Sequence, residues 1–263
     1  MPTLREYAGC LIDPFDVDDG RKGSFLLRCQ QVIDKLHPNT APPLTTSSNI
    51  YNRARQRLSQ WRVNFQKVAN AVVKDVITAR YGRSNNPKED SRVTLKRNKD
   101  LIKAFVEETI TGGSMFWRVP GTETSRADGS FRSFYILRVF ACHLRDTEDS
   151  IFEWADGLPR GALLLSAVAV DRAFHAWKTG AFVELTAFQK ENMEDELEEY
   201  LSSVLPLCEK SHRFDRVISM ARKYITPGPD QSRKLSPVES SSSRGYQRGG
   251  VDASSPPPDS SEV

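Results

Sequence analysis

From Ile50 to Val76, apolar residues recur at the spacing of an α-helix, and this long stripe constrains the fold more than any other feature of the chain. Ile50, Leu58, Trp61, Phe65, Val68, Val72 and Val76 fall within an arc of about 80° when each residue advances by ~100°. A half-buried strand would instead alternate with a period of two. Ser47, Ser48 and Asn49 offer N-caps ahead of the stripe, and Gly82 stands where the helix is expected to stop. A rod of about seven turns hides such a stripe against other helices, so the expected fold class is all-α.

The flanking segments carry the same period. Phe25, Cys29, Val32, Ile33 and Leu36 share a face of a helix closed by His37-Pro38. Beyond the polar loop "GRSNNPKEDS", Leu101, Ile102, Phe105, Val106 and Ile110 are expected to point inward from a helix stopping at Gly112-Gly113. "FRSFYILRVFACHL" is apolar almost all round and reads as the central buried helix. "TEDSIFEWADGL" suggests a short helix, and Pro159 then opens "RGALLLSAVAVDRAFHAWKTG", with Gly180 just past its end. Thr186 to Gln189 has capping-box spacing and is expected to open an acidic helix with Met193, Leu197, Tyr200, Leu201 and Val204 on one side. Ser211 is expected to cap a last helix running through Phe214, Val217, Ile218, Ala221 and Ile225. These segments predict a single multi-helix domain of roughly eight helices over residues 10–226. Residues 227–263 are Ser/Pro-rich and too poor in apolar side chains to offset the entropy of ordering, so a disordered tail is expected there.

A chain of 263 residues with 38% hydrophobic residues and a mean hydropathy of −0.50 is long enough to bury a real core. The opening "MPTLREYAGCLIDPF" places Arg5, Glu6 and Asp13 where a signal peptide needs an unbroken apolar core. The longest apolar run, Ala162–Val170, is about half of what a membrane span requires, so no membrane segment is expected. Cys10, Cys29, Cys142 and Cys208 show no paired spacing and read as reduced thiols. The expected setting is intracellular, with cytoplasm and nucleus not distinguished.

"IDPF" near the start, "VNFQKVANAVVKDVITARYG" closing the long helix and "DGSFRSFYILRVFACHL" at the centre form a recognisable set. The most specific stretch is "ALLLSAVAVDRAFHAWKTGAFVELTAFQKENMEDELEEYL". In it an apolar helix ends in Trp-x-x-Gly (Trp177, Gly180), and a Phe-initiated acidic helix leads to Tyr200. On these residues the chain resembles the fungal family catalogued as domain of unknown function 6532, from about Ile12 to Ile225. The shared features are packing patterns. The resemblance implies a helical fold and its extent, and no activity, cofactor or catalytic residue.

No catalytic set is legible. Cys208-x-x-x-His212 has a spacing found in zinc sites and Cys142-His143 could complete a set, but no second Cys-x-x-Cys or His-x-x-x-His is present, so no metal is expected. Ser166 lies in an apolar helix without the glycines of a nucleophile elbow. Asp171 and His175 form an i, i+4 pair that reads as support for a helix surface. Gly112-Gly113-Ser114 follows a helix instead of opening one, and no P-loop lysine accompanies it. Glu191, Asp195 and Glu198 lie along one helical face and read as a solvated acidic surface. No cofactor is implied.

What remains is binding. The formal net charge is only +3, but its distribution is uneven. Between Tyr51 and Arg83 stand Arg53, Arg55, Arg57, Arg62, Lys67, Lys74, Arg80 and Arg83 against the single acid Asp75. Glu184 to Glu199 holds seven acids against Lys190. The favoured expectation is a non-enzymatic helical binding or scaffolding domain with an unidentified protein partner, its basic helix answered by the acidic helix of the same domain. The alternative is a nucleic-acid-binding protein using the basic helix 50–81 through Arg53, Arg55, Arg62, Lys67 and Lys74. In "SRKLSPV", Arg233 three residues before Ser236 and Pro237 directly after it make Ser236 a phosphorylation candidate.

Overall fold

A computed structural model describes residues 1–225 apart from 19, 22, 84–89, 123 and 153–156. The described helices are α1 (Pro2–Cys10), α2 (Ser24–Leu36), α3 (Asn49–Tyr81), α4 (Ser91–Arg97), α5 (Lys99–Thr111), α6 (Phe134–Asp146), α7 (Arg160–His175), α8 (Glu194–Glu209) and α9 (Ser211–Arg222). Among the described residues there is no strand, only isolated bridges between Val119 and Asp128 and between Thr122 and Ser125. The fold is all-α. Among the described residues no helix is long and apolar enough to cross a membrane.

The long helix forms where its stripe places it, from Asn49 to Tyr81, with Gly82 as its C-cap. Its buried face is turned from the expected one. Tyr51, Ala54, Leu58, Trp61, Phe65, Ala69, Val72, Val73 and Ile77 are buried, whereas Ile50 is 54% exposed and Val68 and Val76 are half-buried. At ~100° per residue the centre of the buried arc moves by about 40°. Tyr51, Val73 and Ile77 account for the difference, since all three are buried and lie beyond the ~80° arc of the stripe on the same side.

The centre of the molecule is α7, not the helix at Phe134–Asp146. Every residue from Gly161 to Phe174 is buried, and α7 packs against α1, α3, α5, α6 and α8. Gly161 admits the chain after α1, since a Cβ there would run into the Leu11 carbonyl oxygen. Helix α6 is buried on one broad face through Ile136, Leu137, Val139, Phe140, Ala141, Cys142 and His143. Ser133 begins it, accepting from the Ile136 N–H at 3.2 Å and donating to the Met115 carbonyl. Ahead of α1's partners, Leu4, Tyr7 and Ala8 are buried, so α1 joins the core before residue 10.

The helix expected around Leu101 is α5, ending at Gly112 with Ile102, Phe105 and Val106 buried; α4 precedes it, and Asn98 between the two donates to the Tyr81 carbonyl at 2.8 Å. Other expectations differ. Leu101 is 59% exposed, and Leu36 at the end of α2 is 57% exposed. Residues 147–152 form turns, and the rest of the short helix expected there falls partly outside the described residues. The acidic helix starts at Glu194 after a 3-10 turn at Lys190–Asn192, eight residues beyond the capping-box spacing at Thr186. Thr186 is engaged elsewhere: its carbonyl and hydroxyl oxygens accept from Arg172 at 2.8 and 3.1 Å. The tail 227–263, with Ser236, lies outside the described residues.

Candidate functional site

The turn of α3 redistributes its cations. Arg53, Arg57, Lys67 and Lys74 now lie opposite the buried arc, all exposed, and span about 30 Å of helix at 1.5 Å per residue. Among the described residues none of them is in an ion pair, and Arg57 only touches the neighbouring Gln60 amide at 3.3 Å. Helices α4 and α5, beside the C-terminal half of α3, add exposed Arg92, Lys96, Lys99 and Lys103. These bases lie outside the block read from the sequence. The density of bases in "RVTLKRNKDLIK" was the available signal.

The acidic helix does not answer this surface. Both α3 and α8 pack on α7, and among the described residues no ion pair joins them. Instead Glu196 of α8 lies 3.8 Å from the buried Arg172 of α7, and Lys190 pairs with Asp13 at 2.6 Å. Trp61 and Phe65, which stand among the bases in the sequence of α3, are 2% and 0% exposed and serve the core. Base stacking is therefore closed to them.

Arg55, Arg62 and Arg80 occupy the flank and behave differently. Arg55 lies over Tyr51 at 6.0 Å, and Arg80 lies over Phe105 at 4.7 Å, so both cations rest on aromatic faces. Arg62 is half-buried, donates from Nε to the Pro14 carbonyl at 2.8 Å and stacks over Phe15 at 5.2 Å. Burial lowers its pKa to about 10, with Asp13 opposing and Arg55 adding to the fall. The segment "IDPF" thus takes part as three neighbours: Asp13 pairs with Lys190, Pro14 accepts from Arg62, and Phe15 meets Phe188 at 6.4 Å. Beside these residues a cleft of about 550 Å³ opens between α3, the α1–α2 connection and residues 188–191. No sequence signal marked it, because its walls come from three distant segments.

The candidate chemistries stay apart. His143 is 1% exposed among the rings of Trp61, Phe65 and Phe140, at 5.6, 6.5 and 6.1 Å. Burial, aided by the Arg5 charge, pushes its pKa down to about 3, which keeps it a neutral core imidazole. Burial raises the Cys142 and Cys29 thiols to about 12 and holds them protonated. Ser166 is fully buried and donates to the Ala162 carbonyl at 2.7 Å. His175 Nδ1 sits 3.2 Å from the Asp171 carboxylate, and that hydrogen bond, against some desolvation, raises its pKa. Among the described residues no three of His, Cys, Asp and Glu gather as a metal-ion set.

No curated protein and no solved structure matches the chain. A family model matches residues 5–205, more than half of the sequence and all of the elements from α2 to α7. The chain belongs to the family described as Domain of unknown function (DUF6532).

Proposed function

We propose that this is a non-enzymatic helical binding or scaffolding domain whose contact surface is the outward face of α3, with nucleic acid as the partner its charge fits. The observation that supports this is the run of Arg53, Arg57, Lys67 and Lys74, exposed and without carboxylate partners among the described residues. An exposed row of unneutralised cations gains most from a polyanion, because binding releases the counterions condensed on it. With Trp61 and Phe65 in the core, contact would be to the phosphate backbone and tolerant of sequence.

The test is fluorescence anisotropy of labelled duplex DNA and RNA against rising salt. Four phosphate contacts give a logarithmic salt slope near −4, a loss on the order of 100-fold between about 50 and about 200 mM. Arg53→Glu with Lys74→Glu should weaken binding at least ~10-fold and leave the melting temperature unchanged, since both side chains are exposed. Undetectable binding at low salt, or affinity indifferent to the double reversal, would remove nucleic acid and leave an acidic protein segment as the partner to seek.

A further inference from the structure

The cleft at Arg62 lies on the flank of α3, away from the outward row of cations, and its chemistry is unlike theirs. A guanidinium carries five N–H donors. In Arg62 the Nε donor is used by the Pro14 carbonyl, and among the described residues the terminal nitrogens donate to no protein acceptor and face no carboxylate at ion-pair distance. The nearby acids are otherwise committed. Asp13 accepts from Lys190 at 2.6 Å and from the Phe15 N–H at 2.8 Å. Asp16 and Glu191 are exposed and line the cleft, where Asp16 accepts from the backbone N–H groups of Asp18 and Gly20 at 3.1 and 2.9 Å and neither carboxylate reaches Arg62 at ion-pair distance. Asp13 offsets part of the desolvation of this half-buried cation and the Arg55 charge on the same flank works against it, so Arg62 keeps donors free for a further acceptor.

The surroundings specify more than a charge. Nε bonded to Pro14 and the ring of Phe15 beneath hold the guanidinium plane in place, which sets the remaining fork for a two-oxygen acceptor. Phe15 and Phe188, at 6.4 Å and inclined by 48°, supply an apolar wall. Ser59 and Gln189 line the same cleft, and among the described residues neither side chain is hydrogen-bonded. The cleft, about 550 Å³ in volume, is open to solvent, so a small ligand there would be held on one side and stay exposed on the other.

We propose that this cleft binds a small organic oxyanion with a flat apolar body, its carboxylate or phosphate on the terminal nitrogens of Arg62 and its ring against Phe15 and Phe188. The shared chemistry is an oxyanion on an aryl group, and the two head groups are separated by the choice of probes.

The experiment is titration of the ¹⁵N-labelled full chain with phenylacetate, phenyl phosphate and the neutral phenylacetamide, followed by amide shifts. Either anion is expected to move the amides of Ser59, Arg62 and Phe188–Glu191, and to bind at least ~10-fold more tightly than the amide. The tighter anion identifies the head group. Arg62→Gln should cost the anions ~10-fold or more while sparing the neutral probe. Since Arg62 also ties down the Pro14 segment, Gln189→Glu provides a second variant on an exposed side chain. It places a competing carboxylate in the cleft and should weaken both anions by a similar factor at unchanged melting temperature. The proposal is overturned if neither anion shifts these amides, if phenylacetamide binds as well, or if Gln189→Glu, with its fold intact, leaves anion binding unchanged.

Discussion

At the scale of single residues, His143 shows how a sequence-level ambiguity resolves into a stability term. Next to Cys142 it has the look of a metal ligand, yet its ring is fully enclosed by Trp61, Phe65 and Phe140. Its folded pKa of about 3 lies below the unfolded value of ~6.5, so the unfolded chain binds the extra proton between them. Stability is therefore lost as pH falls through that window, by up to ~1.4 kcal/mol per pH unit. His175 works in the opposite sense: its raised pKa contributes stability at low pH that disappears as pH rises through the folded value. Urea denaturation at pH 7 and pH 5 should show a drop of about 2 kcal/mol from His143 that is absent in His143→Phe. An equal drop in the variant would assign the pH dependence to other groups. Gly180 is the other residue fixed by its surroundings. Its φ of +80° and the Lys99 carbonyl against its Cα leave no room for a Cβ, so Gly180→Ala should cost at least ~2 kcal/mol in the same assay.

At the scale of elements, periodicity made α3 legible almost to the residue, because a stripe repeated over many turns outweighs local noise. It placed α7 as a helix but not as the centre: Asp171 and Arg172 interrupt its apolar run, and Phe131–Leu144, apolar almost all round, reads as the central helix instead. In the folded chain both polar residues are buried, and Arg172 works as a bracket, donating to the carbonyls of Thr186 and Asn192 from within the core. That bracket also explains the misplaced start of α8, since Thr186 spends its oxygens on Arg172 instead of on a helix terminus. Arg172→Leu should leave these acceptors unpaired and cost on the order of 3 kcal/mol. Hydrogen exchange should localise the loss to residues 181–193 and to the start of α8. Uniform loss across α3 and α6 would show that Arg172 supports the whole core and not this connection.

At the scale of the molecule, exposed bases stand on α3 and exposed acids on α8, and both helices pack on α7. The sequence revealed both blocks but not which of their charges point outward, because that depends on which face each helix turns toward α7. The cleft at Arg62 was hidden for the same reason: Asp13, Arg62 and Lys190 come together only through the packing of three distant segments. The boundary of the folded unit raises a related question. The family match stops at residue 205, inside α8, yet the helical body continues. Phe214, Val217 and Ala221 of α9 are all fully buried, and α9 packs on both α6 and α8. Burying one large apolar side chain contributes ~1.5–3 kcal/mol, so losing α9 and the end of α8 removes on the order of 5–10 kcal/mol. That equals the whole stability of an ordinary domain. A chain ending at residue 225 should therefore unfold cooperatively, while one ending at 205 should lack a cooperative thermal transition and bind a hydrophobic dye. A folded, cooperative chain ending at 205 would instead show that α9 is an addition to a core complete without it.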